Sequence, residues 1–508
     1  MSNLLSVLVN QNGYEYDIHS LVKAFYPAQD VKVFVPDSDE KDIVSSDEGL
    51  PDLKIDFEPE MIRLSIVDSG RGRADFGGYK VELEDGMDRP HIKNCLKKLI
   101  YTALSEHTGR QLPWGTLTGI RPTKIPMTMM EEDVSDEEIM QYMQDTYLIS
   151  KEKGELAIEI ARREKALLDT LHYEDGYSLY IGIPFCPTTC LYCSFTSYPI
   201  FSWEKRVSEY LTALEKEIDF VSSFYQDKIL DTIYIGGGTP TTLKAPELER
   251  LLSYIEEKLD LSHLQEFTVE AGRADSITRD KLEVLRKHGV TRISVNPQTM
   301  NQKTLDLIGR RHTVEQVREA FTLAREIGFT NINMDIILGL PEETEADVQY
   351  TIDEIVKMQP DSLTVHSLAI KRASKLSQWI EEKGISMLNN TEETMKIAME
   401  GAKQLRMVPY YLYRQKNMSG NFENVGYATE GNFGIYNILI MEEKQTIVAL
   451  GAGSITKRVF PDGRIERCDN VKDVGLYIEK IEEMIDRKRK LFAEDPLIFW
   501  RKIIRCDE

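Results

Sequence analysis

Between residues 177 and 370, short apolar runs alternate six times with stretches of helical periodicity, and nothing else in the chain limits its fold so strongly. The runs are YSLYIGI (177–183), DTIYIGG (231–237), EFTVEA (266–271), RISVNPQ (292–298), NINMDIILGL (331–340) and DSLTVHSLAI (361–370). Helical patterns such as APELERLLSYIEEKL and EADVQYTIDEIVKM separate them. Strands joined through helices run parallel, and strands that are apolar throughout are buried on both faces. The expectation is an α/β fold: a parallel sheet with helices outside it. Six units are too few to close an eight-stranded barrel. The predicted shape is therefore a partial (β/α)6 barrel over residues 176–385, with a doubly wound open sheet as the alternative.

The flanks read differently. Residues 1 to about 85 carry the apolar runs LLSVLV, VKVFV and MIRLSIV, broken by Gly- and Asp-rich segments such as DSGRGRADFGG. This predicts a small β-rich unit. PHIKNCLKKLIYTALSEH (90–107) has helical spacing, LPWGTLTGIRPTKIP (112–126) is a Gly/Pro-punctuated loop, and two acidic helices are expected near 134–147 and 151–170. Residues 1–175 are thus expected to form an N-terminal α+β accessory domain. Beyond 385 come one long helix (NNTEETMKIAMEGAKQLRM), a Tyr- and Gly-rich stretch, a buried strand with a glycine turn (TIVALGAGS) and a charged helical end. Residues 386–508 are expected to form a small C-terminal α+β extension that covers the active site.

Charge excludes some functions. The net charge is −22 over 508 residues, a surface that repels nucleic-acid phosphates, so no nucleic-acid partner is expected. No run approaches the length of a membrane-spanning helix, and the N-terminus lacks the basic and apolar regions of a signal peptide. Cysteine is sparse: Cys95, Cys468 and Cys506 stand singly among six in all. That is the usage of a cytoplasmic protein with reduced thiols.

The other three cysteines, Cys186, Cys190 and Cys193, fall in IPFCPTTCLYCSF, directly after the first predicted strand. Structural zinc usually takes two pairs of ligands, and no second pair or histidine lies nearby. Three thiolates on a short loop suit a 4Fe–4S cluster with three irons held by protein and the fourth open to an exogenous ligand; zinc and an inert loop remain the alternatives. GGGTPT (236–241) ends the second strand, where glycines let a backbone approach a ligand, although a plain βα turn has the same composition. Glu270 ends the third strand, Gln298 the fourth, and Asp335 lies within the fifth. In parallel α/β folds ligands bind at the carboxyl ends of the strands. A carboxylate within an apolar strand costs free energy unless paired or bound, so Asp335 marks either a ligand site or a structural ion pair.

These residues carry a resemblance. Cys186-x3-Cys190-x-Tyr192-Cys193 is the signature of radical S-adenosylmethionine (SAM) proteins. YIGIPFCPTTCLYCSF, with GGGTPT, VEA, PQTMNQKTLDLIGRRH and DIILGLPEET, resembles the oxygen-independent coproporphyrinogen III oxidase family, and LPWGTLTGIRPTKIP resembles its HemZ branch. The resemblance implies that Cys186, Cys190 and Cys193 hold the cluster, and that SAM chelates the open iron, with a second SAM molecule also bound. It implies SAM contacts from Tyr180, Tyr192, Gly237, Gly238, Thr239 and Glu270, from Gln298, Arg310, Asp335 and Ala369 around the second molecule, and from Ile455. The best-known branch has His at the position of Gly182 and a further Cys at that of Phe195.

The activity so implied is oxidative decarboxylation of two propionates of coproporphyrinogen III to vinyls, giving protoporphyrinogen IX without oxygen. An adenosyl radical would abstract hydrogen from each propionate, and a low-potential donor such as flavodoxin or ferredoxin would supply the electron. A tetrapyrrole with four propionates calls for cationic donors, for which Arg121, Arg311 and Arg414 are candidates; surface salt bridges would account for each as well. Two other functions stay open: a heme-binding chaperone of the same family, and a radical SAM enzyme modifying another tetrapyrrole.

Overall fold

The structure, a computed structural model, describes residues 4–27, 29–36, 52–67, 75–119, 121–173, 175–195, 197–370, 374–384, 388–415 and 422–493. Cys506 and most of the Gly- and Asp-rich break at 68–78 lie outside the described residues. The chain divides into two compact units, Met1–Arg162 with Tyr413–Glu423, and Arg163–Leu412 with Asn424–Glu508.

The first unit is built on a sheet of β1 (Leu4–Val9), β2 (Asp30–Phe34), β3 (Leu53–Glu58), β4 (Met61–Val67) and β5 (Asp75–Glu82), in the order β2-β1-β3-β4-β5. β1 runs parallel to β2 and β3, and the rest is antiparallel. Two helices pack on it. Arg89–Thr108 follows the expected pattern, capped by Asp88, whose side chain accepts from the His91 N–H, and closed by left-handed Gly109. Its Leu96, Ile100, Ala103 and Leu104 meet Val7, Ile55, Ile62 and Leu64 in the core. The other helix, Glu15–Phe25, has no counterpart among the expected elements. It starts at Tyr14 without a side-chain cap, so no capping residue announces it. A further short helix, Lys124–Glu131, begins inside the expected loop.

The second unit holds an eleven-stranded sheet. Its six central strands are β6 (Gly176–Ile183), β9 (Ile229–Gly237), β10 (Glu266–Glu270), β11 (Arg292–Ser294), β12 (Ile332–Leu338) and β13 (Ser362–Ser367). The intervening β7 (Phe185–Cys186) and β8 (Tyr198–Pro199) form a separate short ladder around the cysteine loop. The six strands pair in chain order, every neighbour parallel. A doubly wound sheet needs a point where strand order reverses, and none occurs among these six. Right-handed connections stepping one way place their helices on one face, which is the arrangement of a barrel wall. The chain is an α/β protein with a partial (β/α)6 barrel. β14 (Val408–Tyr413), β15 (Asn424–Ala428), β16 (Thr446–Leu450), β17 (Ile455–Val459) and β18 (Ile465–Asp469) extend both edges of the same sheet. β16 joins β6 in parallel, and β15 joins β13 antiparallel.

One central strand is shorter than expected. β11 stops at Ser294, and pairing resumes only at a single bridge, Gln298 to Ile336. Pro297 has no N–H to donate, and Gln298 adopts φ 67°, a left-handed conformation uncommon outside glycine. The break takes Asn296 out of the ladder at the carboxyl rim, and the backbone of Gln298 rejoins it at Asp335 and Ile337.

Candidate functional site

The cysteine loop leaves β6 at that rim and is pinned through the residues between its cysteines. The Leu191 N–H donates to the Ile308 carbonyl (2.9 Å) and the Cys193 N–H to the Cys190 carbonyl (3.2 Å). The Thr188 hydroxyl donates to the Gly309 carbonyl (3.1 Å). The thiols are not engaged in disulfides. The Cys186 thiol lies 3.6 Å from the Thr239 hydroxyl. Burial pushes this thiol up to about 11, against the hydrogen bond from Thr239 and with the other two thiols adding to the rise. Burial also raises the Cys193 thiol. Among the described residues no three ligating side chains converge on a single-ion site.

The glycine run after β9 is packed under this loop. The Gly238 N–H donates to the Ile183 carbonyl (2.8 Å), and the Thr239 N–H to the Phe185 carbonyl (2.7 Å). A Cβ on Gly238 would stand 2.5 Å from the Phe185 oxygen, and one on Gly236 would stand 3.0 Å from the Glu270 carboxylate. Gly237 has φ 104°. The glycines therefore let the cysteine loop and Glu270 close over the backbone.

Glu270 accepts from the Tyr234 hydroxyl at 2.5 Å. Burial pushes its carboxyl up to about 7, which Tyr234 opposes and the nearby Asp335 reinforces. Tyr234 stacks on Tyr436 (centroids 4.5 Å) and on Tyr180 (6.2 Å). Tyr436 is held by the helix Ile435–Glu442, whose first amide donates to the Glu266 carboxylate at 2.6 Å. Asp335 accepts from the Asn333 amide (2.7 Å) and faces the His366 ring (3.7 Å). Burial acts to raise its carboxyl; His366, Asn333 and Thr364 outweigh burial and hold it below the usual range.

Arg310 ties three elements together. Its guanidinium donates to the Tyr192 hydroxyl (3.1 Å), the Gly272 carbonyl (2.9 Å) and the Asn296 carbonyl (2.7 Å). Beside it several buried polar atoms have no hydrogen-bond partner among the described residues: Ser294 Oγ, Gln298 Oε1, Arg310 Nε and both ring nitrogens of His312. Burial and the Arg310 charge push His312 down to about 3, so its ring is neutral. Unsatisfied polar atoms are rare in folded interiors; here Ser294 and Gln298 lie at and just beyond the end of β11, and Arg310 and His312 in the segment between the helices Gln302–Leu307 and Val314–Ile327. Together with the three thiols they form a donor set that fits an iron–sulfur cluster and a polar organic ligand.

The remaining expected residues are placed as follows. Ala369 lies half-buried just past the end of β13. Ile455 begins β17 at the edge of the sheet and is 47% exposed. Gly182 lies within β6, where a Cβ would meet the Leu450 oxygen at 3.2 Å and the Tyr180 ring at 3.5 Å. Arg311 is exposed. Arg121 and Arg414 belong to the first unit, where Arg414 is buried, donates to the Leu117 carbonyl (2.6 Å) and lies over the Trp114 ring. Residues that the sequence did not single out are Tyr234, Arg273, Asn296, His312, His366 and Tyr436. Arg273 and Asn296 follow strand ends, as Glu270 and Gln298 do, so position could have found them. Tyr436 carries no such signal.

The family model for the radical SAM superfamily matches residues 180–355. The oxygen-independent coproporphyrinogen-III oxidase-like protein HemZ of Bacillus subtilis (strain 168) is 42% identical over 408 residues, 79% of this chain and 81% of the relative. The heme chaperone HemW of the same organism is 40% identical over 195 residues, 38% of this chain and 51% of that relative. Among solved structures, coproporphyrinogen III oxidase (HemN) from Escherichia coli matches with a TM-score of 0.49 and 22% identity, covering 63% of this chain and 72% of that one. The chain belongs to the radical SAM oxygen-independent coproporphyrinogen III oxidase family, in its HemZ branch. Membership implies a 4Fe–4S cluster and SAM. No described helix is long and apolar enough to cross a membrane.

Proposed function

We propose that this protein carries out the oxygen-independent oxidative decarboxylation of coproporphyrinogen III to protoporphyrinogen IX, in the cytoplasm: a low-potential donor of the flavodoxin or ferredoxin kind supplies one electron per SAM cleaved, and each substrate radical releases CO2 and passes one electron to an acceptor. The reading is carried by the rim itself: three thiols at the exit of β6 share the carboxyl rim with buried polar atoms that lack partners among the described residues. Cys186, Cys190 and Cys193 would hold the cluster. Tyr180, Tyr192, Gly237, Gly238, Thr239 and Glu270 would line SAM; Gln298, Arg310, Asp335 and Ala369 would line a second SAM molecule. When bound, cluster and SAM supply the carbon radical that removes hydrogen from a propionate side chain. The chain's own part is to bind, orient and exclude water. Tyr180, Tyr234 and Tyr436 form an aromatic wall that packs beside the half-buried Glu270. Glu270, its carboxyl raised toward neutrality by burial, is matched to an ammonium group that would restore its charge. Residues 386–508 contribute Tyr436, and we read that segment as a cover over the site.

The test is anaerobic turnover with reductant, SAM and coproporphyrinogen III; protoporphyrinogen IX and CO2 are the expected products. Cluster-loaded protein that cleaves SAM yet leaves coproporphyrinogen III intact would overturn it, and mass analysis of other tetrapyrroles would then identify a different substrate. The relatives named heme chaperones favour a second reading, heme delivery from the same barrel. Stoichiometric heme transfer without SAM cleavage would establish that reading instead.

A further inference from the structure

Arg273 follows the end of β10 and is 3% exposed. Half of its fork is bidentate on Asp275, at 3.0 and 2.6 Å. The other half donates to the Thr188 hydroxyl (2.7 Å) and the Thr188 carbonyl (3.2 Å). Thr188 lies between Cys186 and Cys190. Arg310, 4% exposed, does the same for the other half of the loop through Tyr192, between Cys190 and Cys193. The two guanidiniums thus grip each spacer of the C-x3-C-x2-C motif from the barrel side. Their electrostatics differ. Arg273 is paired directly with Asp275, whereas among the described residues the hydrogen bonds of Arg310 go to neutral acceptors, two carbonyls and a phenol, and Asp275 acts on it without a direct contact. A buried cation with no carboxylate partner is costly unless an anion comes to it. A cluster held by three thiolates is such an anion, and it would lie on the loop that Arg310 touches.

We propose that Arg273 and Arg310 are paired positioning residues: Arg273 fixes the first spacer of the cysteine loop through Thr188, and Arg310, which has no carboxylate in hydrogen-bond contact among the described residues, fixes the second and supplies positive charge that faces the cluster. This rests on the cluster reading above and deepens it, because it gives Arg310 a role in cluster retention separate from any contact with SAM.

The experiment compares wild type with Arg273→Met, Arg273→Lys, Arg310→Met and Arg310→Lys after anaerobic reconstitution. It reads iron and sulfide per chain, the rate of iron loss to a ferrous chelator, and the midpoint potential of the cluster followed by electron paramagnetic resonance. Far-ultraviolet circular dichroism checks the fold. Both Met variants lose iron about 10–100-fold faster than wild type, the range seen when groups that orient metal ligands are removed. Arg310→Met also shifts the potential to more negative values, because the added electron loses a stabilising cation; Arg310→Lys keeps the potential but not the retention. Thr188→Val removes the Arg273–hydroxyl contact together with the Thr188–Gly309 hydrogen bond and leaves the contact to the Thr188 carbonyl; Tyr192→Phe removes the Arg310–phenol contact; neither deletes a buried charge, and both reproduce a smaller part of the faster iron loss should a Met variant fail to fold. Wild-type retention and potential in folded Met variants would overturn the proposal, as would wild-type retention in both Thr188→Val and Tyr192→Phe. Wild type that takes up no four-iron cluster would instead overturn the cluster reading itself.

Discussion

Glu217 and Arg310 are both buried charges in the barrel unit, and the protein treats them in opposite ways. Glu217 lies on the helix Val207–Phe224 and is fully buried. It accepts from Lys488 (2.6 Å), Asn470 (3.0 Å), the Tyr477 hydroxyl (2.5 Å) and the Gly451 amide (2.8 Å). Lys488 in turn donates to Asn470 (2.7 Å). Both partners of that ion pair are wholly withdrawn from solvent. Among the described residues Arg310 has no carboxylate in hydrogen-bond contact, and Gln298, Ser294 and His312 carry polar atoms without hydrogen-bond partners. A closed polar network rigidifies what it joins; an open one awaits further partners. The Glu217 network fastens the C-terminal helix and the turn after β16 to the barrel, while the rim keeps its polar groups for a ligand.

That contrast breaks first at the cysteines. Cys186→Ala leaves a loop that cannot complete the cluster, so iron incorporation and SAM cleavage fall to background, measured as iron per chain and 5′-deoxyadenosine released. Because the residue's packing is modest, chain stability changes by less than about 1 kcal/mol. A large loss of stability would mean that the loop serves the fold as the Glu217 network does.

Lys488→Met tests the other side. It strands the Glu217 carboxylate in a dry interior, a defect worth about 3–5 kcal/mol, visible as a lower urea midpoint. The folded fraction keeps its iron and its SAM cleavage. Loss of cluster from well-folded Lys488→Met protein would join the two regions into one functional network and dissolve the distinction.

How much of this could be read in the sequence follows the same line. Continuous apolar runs make the six central strands visible, and the rule that ligands gather at carboxyl ends makes Glu270, Gln298 and Asp335 visible with them. The helix Glu15–Phe25 is hidden because no cap marks it. The Glu217 network is hidden for a different reason. Its members are ordinary polar residues in ordinary helices and turns, and the partners of Glu217 at Gly451 and Lys488 lie 234 and 271 residues away. Nothing local in the chain distinguishes a buried lysine so paired from a solvated one. Arg310 is visible through the family resemblance, but its three neutral acceptors are not.

A smaller effect is expected at Glu270. Its carboxyl rises from 4.5 to about 7 in the folded chain. Between those values the folded state holds a proton that the unfolded state has released, so the protein free of cluster and SAM loses stability as pH rises through that window. The loss is at most roughly 3 kcal/mol, and above the folded value it is constant. Glu270→Gln flattens the curve, which urea unfolding at a series of pH values measures. An unchanged slope would show that Glu270 is solvated and belongs to neither kind of interior.

The smallest effect separates strain from support. Gln298 holds φ 67° and a buried amide oxygen without a partner. Both features cost the protein stability in the absence of a ligand, and a ligand at the rim that uses them would offset that cost. Gln298→Gly relieves the backbone and removes the orphaned oxygen, and part of that gain is offset by the greater freedom of glycine in the unfolded chain. The protein free of SAM is therefore stabilised by about 0.5–1 kcal/mol, seen as a higher urea midpoint. SAM binding, measured by calorimetry, weakens about tenfold, the worth of one good hydrogen bond. At Glu217 every substitution should cost stability; at Gln298 one substitution should add it while costing affinity. If Gln298→Gly is instead destabilising and binds SAM normally, the rim is held for the fold, and its open polar atoms need a different explanation.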